Sequence, residues 1–355
     1  MAYYVKPELR EPFRIFPMEG RGAYARYDMN ENPSGLPAEF TARVLSEITP
    51  EFLATYPEPN RFLKKYAAFI GAPEDAVTAV NGSDMGIRYI FETFGEPGKD
   101  VVTVSPSFEM YWVECRILGL RHVPVAYEPD LTMPLEKILN AINEDTRIVV
   151  LTNPNNPVGN AYTEAELNAV IQKTGEVGAV LVIDEAYHYF CRNTALQAAL
   201  ASDHVIVLRT FSKLFSIAAL RIGVVVGDPV LIQYVKQGKL TFDVNSVALL
   251  FAERIIEEPG LTEALIAAEN AGKAYMYGAL EANGYPVMKS EGNFLFIETK
   301  RDALTVTKEL EDEKILVHGY RNPLLRRFIR VSIGSEAEMR WFMERFLPID
   351  AREEQ

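Results

Sequence analysis

The chain has 355 residues, 48% of them hydrophobic; that exceeds the about 250 to 300 residues a single core usually holds, so two domains are expected. Its 49 acidic against 36 basic side chains give a formal charge of −13, which excludes a nucleic-acid partner, because neutralising phosphates needs a basic face. No apolar run reaches the roughly 18 residues that span a bilayer, and the opening MAYYVKPELREPF carries charges and prolines where a signal peptide is apolar, so a cytoplasmic location with no membrane association is expected. Cys115 and Cys191 lack the spacing of a zinc or redox pair and read as packed side chains, and four histidines without an H-x-x-x-H pair give no support to a metal site.

In chain order, residues 76–80, 100–105, 121–127, 147–153, 179–185, 204–210 and 221–227 read as seven strands, most of them apolar throughout, as strands covered on both faces are. Helical patterns lie between many of them, and the sequence therefore predicts a layered α/β domain. In VNGSDMGIRY (residues 80–89) a strand turns through Gly82 and Ser83 into a helix expected to begin near Asp84, with Ser83 or Asp84 as its cap; such a turn presents N–H groups to an anion. LTNPNNPVGN (residues 151–160) is a polar loop after an apolar strand. TEAELNAVIQKTG predicts a helix capped by Thr163, with Glu166 three residues on, closing at Gly175. In VLVIDEAYHYF (residues 180–190) Asp184 ends an apolar strand, either as a helix cap or as a buried carboxylate with a cationic partner. RTFSKLFSIAALRIG (residues 209–223) sets Lys213 among hydroxyls and apolar residues, eight positions before Arg221. After about residue 245 long helices and the isolated strands NFLFIE and RFIRVSI predict a smaller α+β unit. Ligand-binding residues of an open α/β sheet gather where strands end, which is where these unusual polar residues fall.

GSD, NPNNPVG, DEAY and S-K followed by Arg221, taken in that order, resemble the fold-type I pyridoxal-phosphate aminotransferases, class I/II. MNENPSGLP, YPEPN, SPSFEMY and FIRVSIGS are similar to the histidinol-phosphate aminotransferase branch, which includes related decarboxylases of phosphorylated amino acids; the resemblance covers about residues 28 to 340. It implies a large domain with a mostly parallel seven-stranded sheet covered by helices, over residues 31–245, an N-terminal arm over 1–30, and a small C-terminal α+β domain over 246–355. Pyridoxal 5′-phosphate is the implied cofactor, with Lys213 as its Schiff-base amine and proton carrier and Asp184 as the carboxylate paired with the ring nitrogen. Ser83, Asp84, Thr210, Ser212 and Arg221 match the positions that bind the cofactor phosphate, Phe108 the aromatic that stacks on the ring, and Asn156 and Tyr187 the groups that bond its 3-oxygen. Tyr56 matches a tyrosine that crosses to the neighbouring subunit's cofactor, which implies a homodimer with shared sites. Arg330 matches a two-pronged clamp on the substrate carboxylate, and Asn32 of the NEN motif belongs with the substrate.

Two departures bear on the substrate. His318, with Arg321 three residues on, stands where the branch usually has an arginine for a distal phosphate, and Phe13 stands where it tends to have a tyrosine. The expected reaction is therefore transfer of an amino group from an amino acid to a small oxo acid or phosphorylated ketone, with histidinol phosphate itself a poor substrate. Arg14, Arg326 and Arg327 are alternative anion-binding candidates, and Met85, where glutamate is common, has no functional account. The same lysine, aspartate and arginine would also serve a decarboxylase of a phosphorylated amino acid. A non-catalytic ligand-sensing domain on this fold is the alternative of another class, opposed by the acidic charge and by the complete set of Asn156, Asp184, Lys213, Arg221 and Arg330.

Overall fold

Residues rich in Val and Ile form extended segments wherever both faces can be covered. In the computed structural model, which describes residues 3–14, 16, 18–191 and 193–352, a short β1 (Ala25–Arg26) precedes seven such strands. These are β2 (Val77–Val80), β3 (Asp100–Ser105), β4 (Arg121–Ala126), β5 (Thr146–Thr152), β6 (Val180–Asp184), β7 (Val205–Thr210) and β8 (Gly223–Gly227). They make one sheet in the order β2-β8-β7-β6-β5-β3-β4. The pairs from β4 to β7 are parallel, while β8 runs antiparallel to both β7 and β2. β2, β7 and β8 are buried along their whole length. β4 lies at the sheet edge with exposed positions and contains Pro124, which an edge strand tolerates because it needs fewer donors.

Two helix boundaries differ from the sequence expectation. The helix after β2 is Gly82–Phe94, two residues longer at its start, and Asn81 at its cap makes no side-chain bond, so neither Ser83 nor Asp84 is the cap. Gly82 takes a left-handed φ of 77°, which lets the chain turn directly from strand to helix. The helix Glu164–Val177 opens with the expected Thr163–Glu166 capping box but runs past Gly175 and stops at Gly178, whose φ of 71° closes the last turn. Met85, on the first turn of the earlier helix, packs against the core that includes Val80 and Ile87.

The C-terminal strands are β9 (Phe294–Glu298), β10 (Ile315–Leu316), β11 (His318–Gly319) and β12 (Phe328–Ser332). β11, β12 and β9 form an antiparallel three-stranded sheet, and β10 pairs in parallel with β1. A second core gathers Leu295, Ile297, Val306, Ile329, Phe342 and Phe346, and Tyr27 belongs to it. The Ser332 N–H donates to the Tyr27 carbonyl at 2.9 Å. Residues 25–30, which the sequence reading assigns to an arm, are thus stitched to the C-terminal layer and pass over the ends of the large sheet's strands. Among the described residues no helix is long and apolar enough to cross a membrane, and no group of three or more His, Cys, Asp or Glu side chains is arranged to hold a metal.

Candidate active site

The parallel strands β5, β6 and β7 end in the polar residues Thr152, Asp184 and Thr210, which lie side by side at the same end of the sheet. Asp184 is buried, so its charge must be met by donors. The Tyr111 hydroxyl donates to Oδ2 at 2.7 Å and the Ala186 N–H to Oδ1 at 3.1 Å. Burial pushes the Asp184 pKa up to about 6, against those two hydrogen bonds and the Lys213 charge. The carboxylate is ionised at neutral pH.

Lys213 extends from the loop after β7, and its Nζ donates to the Met29 carbonyl at 2.9 Å. Burial lowers its pKa to about 8, aided by the Arg330 and Arg221 charges and opposed by Asp84 and Glu31. The amine lies 5.9 Å from the centre of the Tyr187 ring. Tyr187 is buried, its hydroxyl accepts from Asn30 Nδ2 at 3.0 Å, and burial pushes its pKa up to about 12.

At the helix start after β2, a cluster of hydroxyls and one guanidinium converges. Thr210 Oγ1 donates to Ser212 Oγ at 3.0 Å and accepts from the Ser212 N–H at 3.1 Å. Arg221, with a left-handed φ of 56°, donates from Nη1 to Ser212 Oγ at 3.5 Å and from Nη2 to Asp84 Oδ2 at 3.1 Å. A side chain at 82 would be strained by the left-handed φ of 77° and would push the Arg221 guanidinium out of place, and a Cβ at Gly223 would sit 2.7 Å from the Ser83 backbone N. The first N–H groups of a helix have no intrahelical acceptors. Together with the half-buried Ser83 they make a cradle with the donor chemistry of a phosphate site.

At the opposite end, Arg330 lies buried on β12. Nη1 donates to Asn156 Oδ1 at 2.6 Å, and Nη2 donates to the Asp28 carbonyl. Asn153 and Asn155 hold the loop itself, accepting from the Tyr162 and Val158 N–H groups, which leaves Asn156 to face the arginine. Arg330 Nε and the Tyr320 hydroxyl are buried with no hydrogen-bond partner in good geometry among the described residues, a polar surplus that suits a bound anionic group.

The structure therefore brings Asp84, Asn156, Asp184, Tyr187, Thr210, Ser212, Lys213, Arg221 and Arg330 into one connected region. Five predicted residues stand differently. Asn32 accepts from the Ser34 N–H at 3.0 Å, so its carbonyl oxygen holds a local turn. Tyr56 is 72% exposed and stacks on Phe242 with ring centres 4.3 Å apart, on the outer surface. His318 is the cross-strand partner of Arg330. Arg321 is exposed in the turn that follows β11. Phe108 is half-buried, and its ring meets Tyr111 edge-on at 5.8 Å. Three residues of the region went unassigned in the sequence. Tyr111 closes the SPSFEMY motif three residues after Phe108, Asn30 opens NEN, and Tyr320 follows His318 at the same-face spacing of a strand, which is the signal that would find it.

The class I and II aminotransferase family model matches residues 32–346, and the chain belongs to that family. A histidinol-phosphate aminotransferase of Mesorhizobium japonicum is 31% identical, over 90% of this chain and 88% of its own length. That of Clostridium novyi is 28% identical over 92% of each. Among solved structures, histidinol-phosphate aminotransferase from Sinorhizobium meliloti in complex with pyridoxal-5′-phosphate superposes with a TM-score of 0.84 at 22% identity, covering 92% of this chain and 90% of that one. The Clostridium acetobutylicum enzyme gives 0.82 at 20%, covering 91% and 98%. The fold is that of the fold-type I aminotransferases.

Proposed function

We propose that this protein is a pyridoxal-phosphate-dependent aminotransferase that moves an amino group from an amino acid to a small oxo acid, and that it works in the cytoplasm as a homodimer. The observation that carries this reading is the arrangement at the strand ends, where the Lys213 amine sits against the Met29 carbonyl, 5.9 Å from the Tyr187 ring, in the same region as the buried Asp184 carboxylate that Tyr111 and the Ala186 N–H hold. Burial lowers the amine pKa to about 8 and raises the carboxyl pKa to about 6. Near neutral pH the carboxylate is charged and a usable fraction of the amine is free.

Pyridoxal phosphate supplies an aldehyde that condenses with amines and a ring that draws electrons from the substrate α-carbon. Thr210, Ser212, Arg221, Ser83 and the helix start after β2 would hold its phosphate, and Asp184 would meet its ring nitrogen. Asp184 favours a protonated nitrogen there because its own charge is kept by Tyr111 and the Ala186 N–H. Phe108 is assigned to the ring face, and Tyr187 with Asn156 to its polar edge. Lys213, as the free amine, would be both the nucleophile toward that aldehyde and the base that takes the substrate α-proton and holds it at Nζ. Arg330 orients the substrate carboxylate with a guanidinium already fixed by Asn156 and Asp28.

The relatives are histidinol-phosphate aminotransferases, yet His318 argues for a carboxylate substrate over a phosphate ester. His318 itself is exposed on β11, but the protein atoms around it and then the Arg330 charge lower its pKa below the ordinary 6.5, so it adds little positive charge at neutral pH. Phe13 packs edge-on against Trp112 at 5.5 Å and beneath Arg116, which offers no hydroxyl to an anion. Residues 31–245 are assigned to the cofactor domain and 246–355 to the smaller one, with 1–30 as the arm. The dimer reading is supported by Leu53, Tyr56, Leu240 and Phe242, all more than half exposed on this chain. A panel of oxo acids, phosphorylated ketones and amino donors, supplied to the purified protein with pyridoxal phosphate, tests the reading. Amine transfer to an oxo acid is expected; release of carbon dioxide faster than amine transfer would replace it with a decarboxylase.

A further inference from the structure

Glu269 lies on the long helix Leu261–Ala282, only 2% exposed, and neither of its oxygens has a hydrogen-bond partner among the described residues. Such a carboxylate would be expensive as an ion. Lys273, one turn along the same helix, does not pair with it, because Lys273 Nζ donates to the Ser290 carbonyl at 3.1 Å. The polar side chain beside Glu269 is the fully buried Asn293, with no well-formed hydrogen bond between the two. Asn293 Nδ2 donates to the Asn30 carbonyl at 3.1 Å, and since a carbonyl only accepts, this fixes the amide with Oδ1 pointing elsewhere. That Oδ1 has no donor either. An ionised Glu269 and Asn293 Oδ1 are both acceptors, whereas a protonated Glu269 has the one O–H that Oδ1 needs.

We propose that Glu269 is a positioning residue whose carboxylic acid donates to Asn293 Oδ1 and, through Asn293 and Asn30, fixes the Tyr187 hydroxyl and the Met29 carbonyl of the active site. Asn30 is the hinge of this chain. It has a left-handed φ of 55°, its N–H donates to Ser332 Oγ at 2.8 Å, and its Nδ2 donates to the Tyr187 hydroxyl at 3.0 Å. The preceding Met29 carbonyl accepts from Lys213 Nζ. A shift of Asn30 therefore moves the acceptor of the lysine amine and the donor to Tyr187 together. Lys273 on its own helix and the amide of Asn293 favour an ionised Glu269, and Glu338 on the helix Glu336–Asp350 opposes it; burial outweighs the first two and pushes the pKa up to about 8.

The activity part of the proposal rests on the aminotransferase reading; the protonation part stands without it. The experiment compares the wild-type holoenzyme with Glu269→Gln and Glu269→Leu. At pH 6.5 the infrared difference between wild type and E269Q should contain a protonated carboxyl stretch, which fades as the pH passes about 8. Glu269 is held protonated in the folded state above its ordinary value of 4.5, so wild type loses stability as the pH rises from there to about 8. The thermal midpoint of E269Q relative to wild type should therefore climb between pH 5 and pH 8. E269L should lower kcat by about tenfold with little change in KM, because Asn293 Oδ1 stays unpaired. E269Q, whose amide can donate to Oδ1, should recover most of that turnover. Absence of the carboxyl band, or a midpoint difference independent of pH, shows an ionised Glu269 and overturns the proposal. An E269Q as slow as E269L, or a folded E269L with wild-type kcat, removes the positioning role. A protein that shows the band but transfers no amine refutes the aminotransferase reading and leaves the buried acid in place.

Discussion

The Tyr111 hydroxyl donates to Asp184 Oδ2 across 2.7 Å, and the same hydroxyl lies 2.8 Å from Thr152 Oγ1. Burial and the Asp184 charge both push the Tyr111 pKa well up, so Tyr111 remains a donor over the whole working range. It is first among the groups that hold the Asp184 pKa down against burial. Tyr111→Phe removes that donor, and in the cofactor-free protein the titration of Asp184, near pH 6, should move to higher pH, read by carboxyl infrared bands. An unmoved titration would show that Tyr111 does not hold the carboxylate in its charged form.

Asp184→Asn separates stability from function. The folded-state pKa of about 6 lies above the ordinary 3.8, so the cofactor-free protein holds this proton more tightly when folded and loses stability as the pH rises between those values. The asparagine variant escapes that loss. At pH 7 it should be more stable than wild type by up to about 3 kcal/mol, with the difference vanishing below about pH 4. Its turnover should fall by orders of magnitude, since no charge remains to keep the ring nitrogen protonated. Urea denaturation at pH 4 and 7, with single-turnover kinetics, checks both halves.

Lys213→Ala should abolish the visible absorption that wild type shows with pyridoxal phosphate, while leaving the phosphate cradle able to retain the cofactor. In wild type, the pH dependence of the reaction of apo-Lys213 with an aldehyde should have a midpoint near 8, well under that of an ordinary lysine. Burial and the Arg330 charge are the first two causes of that depression, so Arg330→Ala should move the midpoint up.

The sheet was legible because β2, β7 and β8 are mostly apolar and β-branched and are buried at every position, the pattern of a strand covered on both faces. The motif residues were legible because polar side chains such as Asp184 and Asn156 interrupt that pattern at strand ends. Contacts between distant segments were not. Asn30 meets Tyr187 and Ser332 from 157 and 302 residues away, and no local periodicity encodes such pairings. Glu269 reads in sequence as an ordinary polar position in an amphipathic helix; only the packing of Asn293 against it makes it unusual. The start of the helix at Gly82 was missed because its cap position, Asn81, donates its backbone N–H to Asp243 instead of using a side-chain cap.

Arg330→Ala should weaken binding of the carboxylate substrate by about 1.5 to 3 kcal/mol, the loss of a charge-assisted pair. It should also raise the His318 pKa, because the Arg330 guanidinium is one of the two causes that lower it. The imidazole resonances in the two proteins read that shift directly. Histidinol phosphate is expected to be a poorer substrate than an aromatic or aliphatic 2-oxo acid, judged by kcat/KM. His318→Arg, which restores a charge opposite Arg330 on the neighbouring strand, should narrow the gap. If histidinol phosphate proves best in wild type, the neutral histidine has no bearing on the distal group.

Tyr56 tests the assembly. Its ring stacks on Phe242 at the surface of this chain, 72% exposed, so it serves a site only if a second copy brings one to it. Lys213→Ala and Tyr56→Phe chains should each be weak as homodimers. In a mixed dimer, one site combines both lesions and the other combines an intact lysine with an intact tyrosine. Random exchange of equal amounts makes half the dimers mixed, so activity should recover to about a quarter of wild type. Recovery that depends on verified subunit exchange supports a site built from two chains; no recovery after exchange restricts each site to one chain and leaves Tyr56 a surface residue.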